Sequence, residues 1–172
     1  NYVGARPVLT DILPHTHNID PCDAARKLTR RTKAIIAPHL FGLPADINAL
    51  KKTGLPIIED CAQAVGSCLA TQPVGSMGAA AIFSFYATKM ITTGEGGMVI
   101  TDNDDIAEKI KVLALHGMSK DAWRRFSDDG YKHYQVMFPG FKYNMMDLQA
   151  AIGLHQLARV NENLKRRNEI WQ

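Results

Sequence analysis

Lys89 lies alone in a long uncharged part of the sequence. Residues 61–93 contain no other Asp, Glu, Lys or Arg. In apolar surroundings the charged form of a lysine is disfavoured, which makes the side chain more readily available as a nucleophilic amine. That is the state in which a lysine forms a Schiff base with a carbonyl compound. An ordinary lysine on a surface loop is the alternative, and on spacing alone it is the more common case.

Asp60 and Ser84 each end a predicted strand, at residues 56–60 (PIIED) and 79–84 (AAAIFS). Because open α/β sheets bind ligands at the carboxyl ends of their strands, both side chains are candidates for a binding site. A carboxylate there would pair with a cationic ring nitrogen, the partner that a pyridoxal phosphate site requires beside its lysine. A serine hydroxyl would bind a phosphate. The alternatives are a turn or helix-cap aspartate and an ordinary strand-end serine.

The glycine-rich run at residues 94–97 (GEGG) permits positive φ angles and a close approach of the backbone to a ligand. It is neither a P-loop nor a GxGxxG motif, so a phosphate loop and a tight turn between strands are equally good interpretations. The missing GxGxxG after any predicted strand also argues against an oxidoreductase-type nucleotide-binding domain.

The spacing of cysteine and histidine predicts no metal site. Cys22, Cys61 and Cys68 form no CxxC pair, and their odd number points to a reducing compartment. His15 and His17 lie two residues apart, with no further cluster to complete a ligand set. We therefore expect a cytoplasmic protein without a bound metal.

Strands and helices alternate along the chain, which predicts an α/β fold with a largely parallel sheet. The predicted strands are residues 7–13, 34–38, 56–60, 79–84 and 98–101. The predicted helices run from an Asp20 cap through Leu28, over residues 46–52, from an Asn103 cap to Gly117, and over residues 146–171. Residues 118–143 are predicted to form a long loop-rich segment, a kind often found at lids or interfaces.

The composition is that of an ordinary globular protein. Of 172 residues, 46% are hydrophobic and 22% charged, and the formal net charge is +3. These values argue against disorder, and the near balance of charge leaves no basic stripe for a nucleic acid. No apolar run is long enough to predict a membrane span. The chain begins with Asn1 rather than Met, and we expect it to be part of a longer protein.

Three sequence blocks are highly specific together: EDCAQA at residues 59–64, SFYATK at residues 84–89 and TGEGG at residues 93–97. They resemble the DegT/DnrJ/EryC1/StrS family of pyridoxal-phosphate-dependent sugar aminotransferases, and the match is colinear along almost the whole chain. The further matching blocks are residues 4–8, 18–21, 32–36, 39–42, 116–117, 140–144 and 149–154.

The resemblance implies a role for each of four residues in the first part of the chain. Lys89 would carry the cofactor covalently and shuttle a proton between the substrate carbon and the cofactor. Asp60 would hold the pyridinium nitrogen protonated. Gln63 would lie against the cofactor ring or its oxygen, and Ser84 would bind the phosphate.

The resemblance also implies a homodimer in which Asn144 reaches a cofactor phosphate of the partner subunit. Many relatives have Asn-Tyr-Arg where this chain has Lys142-Tyr143-Asn144, so Lys142 is a second candidate for the same phosphate. A homodimer also agrees with the aromatic and basic side chains of residues 118–143, because such mixtures are typical of interface hot spots. These side chains are Trp123, Phe126, Tyr131, Tyr134, Phe138, Arg124, Arg125 and Lys132. Packing of the aromatic side chains onto their own domain is the alternative.

The fold implied by the resemblance is the large domain of a fold type I (aspartate-aminotransferase-like) transferase, incomplete at both ends. Residues 1–172 would be the central and C-terminal part of this cofactor domain, with the last helix leading toward a small C-terminal domain. The implied reaction moves an amino group from glutamate to a nucleotide-linked keto-sugar, for a cell-surface polysaccharide or an antibiotic. The alternatives are a cofactor-binding regulatory relative without turnover and a sugar dehydratase. Dehydratases of the family carry histidine in place of Lys89.

Overall fold

The computed structural model describes residues 2–119 and 135–172. The chain divides into two compact units, Asn1–Ile100 with Leu148–Gln172, and Thr101–Asp147. The strands are β1 (Ile35–Pro38), β2 (Ile57–Asp60), β3 (Cys68–Leu69), β4 (Gln72–Pro73), β5 (Ala80–Ser84) and β6 (Gly97–Ile100). The helices are α1 (Pro21–Arg26), α2 (Ile47–Lys51), α3 (Asp104–Ala114), α4 (Asp147–Ala158) and α5 (Val160–Trp171), with a 3₁₀ turn at Leu40–Gly42.

The first unit is built on a four-stranded sheet in the order β1-β2-β5-β6. β1, β2 and β5 are parallel, and β6 is antiparallel to β5. The sequence-based prediction of an α/β fold with a mostly parallel sheet is confirmed. A separate antiparallel hairpin of β3 and β4 was not predicted, because two-residue strands leave no periodic signal.

One face of the sheet carries the hydrophobic core, where α2 packs on β2 and α1 packs on α2. Side chains alternate along each strand, so Ile35 and Ile57 are buried while Ile36 on the opposite face is 61% exposed. Asp60 and Ser84 have the same alternation as Ile36 and lie on this less buried face. Both candidate side chains therefore lie outside the core.

α1 and α3 begin at the capping residues that the sequence predicted, Asp20 and Asn103, and α2 begins directly after Asp46, which was predicted as its first residue. The side chains of Asp20, Asp46 and Asn103 each accept a hydrogen bond from a backbone N–H in the first turn of α1, α2 and α3. α1 ends at Arg26, short of the predicted Leu28. Among the described residues, no helix combines the length and the hydropathy needed to cross a membrane.

The prediction of a strand at residues 7–13 is wrong. Among residues 2–119 and 135–172 no strand pairs with this segment, and its one ladder contact is an isolated bridge between Ile12 and Ile19. Val8 and Leu9 are largely exposed, so their β propensity is not matched by burial on a sheet.

The predicted helix over residues 146–171 is also corrected, because Arg159 separates it into α4 and α5. Arg159 has φ −100° and ψ 2°, and its N–H bonds to the carbonyl of Gln156, three residues back. This bond interrupts the α-helical pattern. The apolar stripe continues through the break to Leu164, so periodicity gave no sign of it.

Candidate functional site

Asp60 ends β2, and one of its two carboxylate oxygens accepts no hydrogen bond from the described residues. It lies opposite Ile82 of the parallel strand β5, and the next residue, Cys61, donates its N–H to the Ile82 carbonyl at 2.8 Å. The Ala62 N–H donates to Asp60 Oδ1 at 3.0 Å. Within residues 2–119 and 135–172 nothing donates to Oδ2, and the side chain is half-buried. This carboxylate is therefore oriented by its own turn and can still accept a hydrogen bond.

Lys89 lies in a loop whose two ends are joined at Phe85. The Phe85 carbonyl accepts the Thr93 N–H at 3.0 Å and the Thr92 hydroxyl at 3.2 Å. The Phe85 N–H donates to the Gly96 carbonyl at 2.9 Å. Lys89 is half-buried, and its Nζ forms no hydrogen bond or ion pair with a described residue. The loop thus presents an ammonium group without a counter-ion from the described part of the chain.

Ser84 and Gln63 occupy the turns beside these two residues. Ser84 ends β5 opposite Gly97, and its Oγ accepts a long hydrogen bond of 3.4 Å from the Tyr86 N–H. Gln63 is exposed, and its Oε1 accepts the Phe41 N–H at 2.8 Å. This bond supports the 3₁₀ turn after β1. The side-chain oxygen of Gln63 therefore already accepts a hydrogen bond from the backbone of the protein.

The glycine-rich run forms a tight turn into β6. Gly94 and Gly96 have φ angles of 79° and 151°, in the region that favours glycine. A Cβ on Gly97 would lie 2.8 Å from the Phe83 carbonyl oxygen, so the close pairing of β5 and β6 requires glycine there. The turn that the sequence allowed is confirmed, whereas a role in phosphate binding stays a prediction.

Glu59 is the residue that sequence reasoning missed. Its side chain is fully buried, and Oε2 accepts hydrogen bonds from His39 Nε2 at 3.0 Å and the Gly75 N–H at 2.8 Å. Oε1 accepts the N–H groups of Met77 at 2.8 Å and Gly78 at 2.5 Å. Burial raises the pKa of this carboxyl, but the four hydrogen bonds outweigh it, so the pKa lies below its usual range. Strand alternation, which puts Glu59 on the same face as Ile57, was the signal that could have identified it.

His39, Glu59 and Cys61 have ligand atoms within 4.8 Å of one another, as in a metal site. His39 Nδ1 accepts the Ala45 N–H at 2.9 Å, which assigns the ring proton to Nε2 and makes the imidazole a neutral donor to Glu59. Burial, together with the charges of Glu59 and Asp60, raises the pKa of the Cys61 thiol to about 12. Both ring nitrogens and both carboxylate oxygens have hydrogen-bond partners within the protein, so this cluster stabilises the fold, and the expectation of no bound metal stays a prediction.

Lys142 and Asn144 belong to the second unit. Lys142 Nζ donates to Asn144 Oδ1, and the Tyr143 N–H bonds to the Ala114 carbonyl at 2.9 Å. The rings of Phe141 and Tyr143 stack with centroids 5.0 Å apart, and Tyr143 is 73% exposed. The predicted aromatic and basic side chains at residues 120–134 lie outside the described residues.

Comparison with known proteins identifies the class of this chain. The DesI structure solved with its TDP-sugar product is 36% identical, with a TM-score of 0.78 over 94% of this chain and 39% of that one. Spr1654 from Streptococcus pneumoniae, solved in PMP and PLP forms, gives a TM-score of 0.89 for the PMP form at 32% identity, over 98% of this chain and 48% of that one. The fold is therefore that of the large domain of fold type I pyridoxal-phosphate-dependent transferases.

The family follows from the sequence. The DegT/DnrJ/EryC1/StrS aminotransferase family profile matches residues 1–172, so the chain belongs to that family. It is 49% identical to the spore coat polysaccharide biosynthesis protein SpsC of Bacillus subtilis over 98% of this chain and 44% of the relative. The chain thus spans less than half the length of the relatives that it matches.

Proposed function

We propose that the protein to which this chain belongs uses pyridoxal 5′-phosphate to move an amino group from glutamate to a nucleotide-linked keto-sugar. The observation that carries the proposal is the position of Asp60 at the end of β2 and of Lys89 in the loop after the neighbouring strand β5, in a member of a sugar aminotransferase family. The TDP-sugar product in the DesI structure and the polysaccharide role in the name of SpsC support this substrate class. A cytoplasmic location is part of the same proposal and agrees with the three unpaired cysteines.

The side chains at the carboxyl ends of β2 and β5 fit this cofactor. Asp60 Oδ2, which has no donor among the described residues, suits the N–H of a protonated pyridine ring. Lys89 Nζ, without a described counter-ion, is free for covalent attachment. The Ser84 hydroxyl, which accepts one long hydrogen bond, retains its proton for a phosphate oxygen. The three side chains thus suit the ring nitrogen, the carbonyl group and the phosphate of the cofactor.

Each side chain then has a defined task. The bound cofactor would supply an electron sink for the charge that develops at the substrate carbon. The Asp60 carboxylate would keep a proton on the ring nitrogen. The Lys89 amine would take up the proton that the substrate carbon releases and hold it at Nζ for return in the next step of the transfer. Ser84 would hold the phosphate, and Gln63, whose side chain supports the turn at Leu40–Gly42, would lie against the ring.

Covalent labelling tests the assignment of Lys89. We expect the full-length protein to develop a visible absorption band with pyridoxal phosphate, and borohydride reduction followed by peptide mapping to label Lys89. The Lys89→Ala protein should lose both band and label, whereas the exposed control Lys33→Ala should keep them. A label on Lys33, Lys52 or Lys142 in the unsubstituted protein would contradict the assignment.

We further propose a homodimer in which Lys142 or Asn144 of the partner completes each site. The support is the exposed, stacked pair of Phe141 and Tyr143, because large exposed apolar surfaces mark interaction sites. We expect a mixture of the Lys89→Ala protein with the Lys142→Ala/Asn144→Ala protein to recover activity that neither parent shows. No recovery, with subunit exchange verified by mass spectrometry, would mean that each site is built from one chain.

A further inference from the structure

Helix α4 holds the glycine-rich turn that closes the Lys89 loop. The side chain of Gln149 donates from Nε2 to the backbone carbonyl of Glu95 at 2.8 Å. The Thr93 hydroxyl donates to the same carbonyl at 2.6 Å. A carbonyl oxygen has two lone pairs, so these two donors satisfy it completely. The turn is therefore held by two side chains, Thr93 of the turn itself and Gln149 of α4.

Gly153 allows the helix to approach this turn closely. A Cβ at Gly153 would lie 3.1 Å from the methyl group of Thr93, which is tighter than most such contacts. Thr93 is only 4% exposed, so its side chain has little room to move away. Glycine is unfavourable inside a helix, and this contact gives a physical reason for one at this position.

The contact reaches Lys89 through the backbone. Thr93 and Gly96 make the two backbone hydrogen bonds with Phe85 that close the Lys89 loop, and Glu95 lies between them in the chain. Holding the Glu95 carbonyl therefore restrains both closing bonds. We propose that Gln149 is a positioning residue, whose amide sets the conformation of the Lys89 loop by fixing the Glu95 carbonyl. The consequence for catalysis rests on the function proposed for Lys89.

Hydrogen exchange in the cofactor-free, full-length protein tests the anchoring directly. Gln149→Met and Gln149→Glu both remove the donor, the first without adding charge. We expect the amides of residues 85–97 to exchange about fivefold faster in both variants, as for the loss of one neutral hydrogen bond. Gln156 is a matched control on the same helix, half-buried and without a side-chain hydrogen bond to a described residue. Gln156→Met and Gln156→Glu should leave this exchange unchanged.

The spectrum of the protein loaded with pyridoxal phosphate gives the second readout. A displaced Lys89 amine should shift the midpoint pH of the visible band in the Gln149 variants and leave it in place in the Gln156 variants. If the Gln149 variants exchange at the wild-type rate and their band does not shift, the positioning role is overturned. Faster exchange over the whole chain in these variants would overturn it as well. Failure of the unsubstituted protein to label at Lys89 would instead count against the proposed function, while the exchange result still decides whether Gln149 anchors the loop.

Discussion

Replacing Asp60 by asparagine is expected to lower turnover by roughly two orders of magnitude or more while the protein stays folded. Asparagine keeps the size of the side chain and an Oδ1 that accepts the Ala62 N–H. It loses the negative charge that would keep a proton on the ring nitrogen of the cofactor. Because the Asp60 side chain is half-buried and accepts one hydrogen bond from the described residues, the fold depends little on its charge.

Steady-state turnover and thermal unfolding of the full-length protein separate the two effects. Asp46→Asn is the matched control, since Asp46 also accepts a backbone N–H, that of Ala49, and asparagine caps a helix as well as aspartate. We expect this control to keep both turnover and stability. Near-normal turnover of Asp60→Asn would show that this residue does not hold the ring nitrogen protonated.

The strands and helix starts were predictable because their signals are local. The predicted strand at residues 56–60 contains β2, and the predicted cap Asn103 begins α3. Both signals depend only on side chains that lie within a few residues of one another. The same edge of the sheet holds Asp60 and Ser84, as predicted, because parallel strands end at one edge, and their role in a binding site stays a prediction.

The features that sequence reasoning missed depend on distant partners. Residues 7–13 have a β-like composition, but no strand in the described part of the chain pairs with them. The structural role of Glu59, one of the two acidic residues that end the predicted strand at residues 56–60, was not predicted, because its hydrogen-bond partners come from residues 39 and 75–78. The bond from Gln149 to Glu95 joins residues 54 positions apart, so no local pattern could reveal it. Long-range hydrogen bonds of polar side chains carry no periodicity.

Glu59→Gln is expected to destabilise the fold by about 3 kcal/mol at neutral pH. The amide keeps the size of the side chain, but its NH₂ group must face hydrogen-bond donors. On the Oε1 side these are the Met77 and Gly78 N–H groups, and on the Oε2 side they are His39 Nε2 and the Gly75 N–H. Opposed donors in a fully buried site cannot reach water, so two hydrogen bonds are lost without replacement.

Urea unfolding of the full-length protein over a range of pH measures this effect and its electrostatic origin. The folded-state pKa of Glu59 is lowered, so the stabilisation is fully present above the ordinary pKa of a glutamic acid and is lost as the pH falls through the folded-state pKa. The difference between wild type and Glu59→Gln should therefore shrink in acid. Glu162→Gln, an exposed control on α5, should change stability by less than about 0.5 kcal/mol at every pH. A Glu59→Gln difference that is small, or that stays constant with pH, would show that the buried carboxylate does not hold the loop before β5 through its charge.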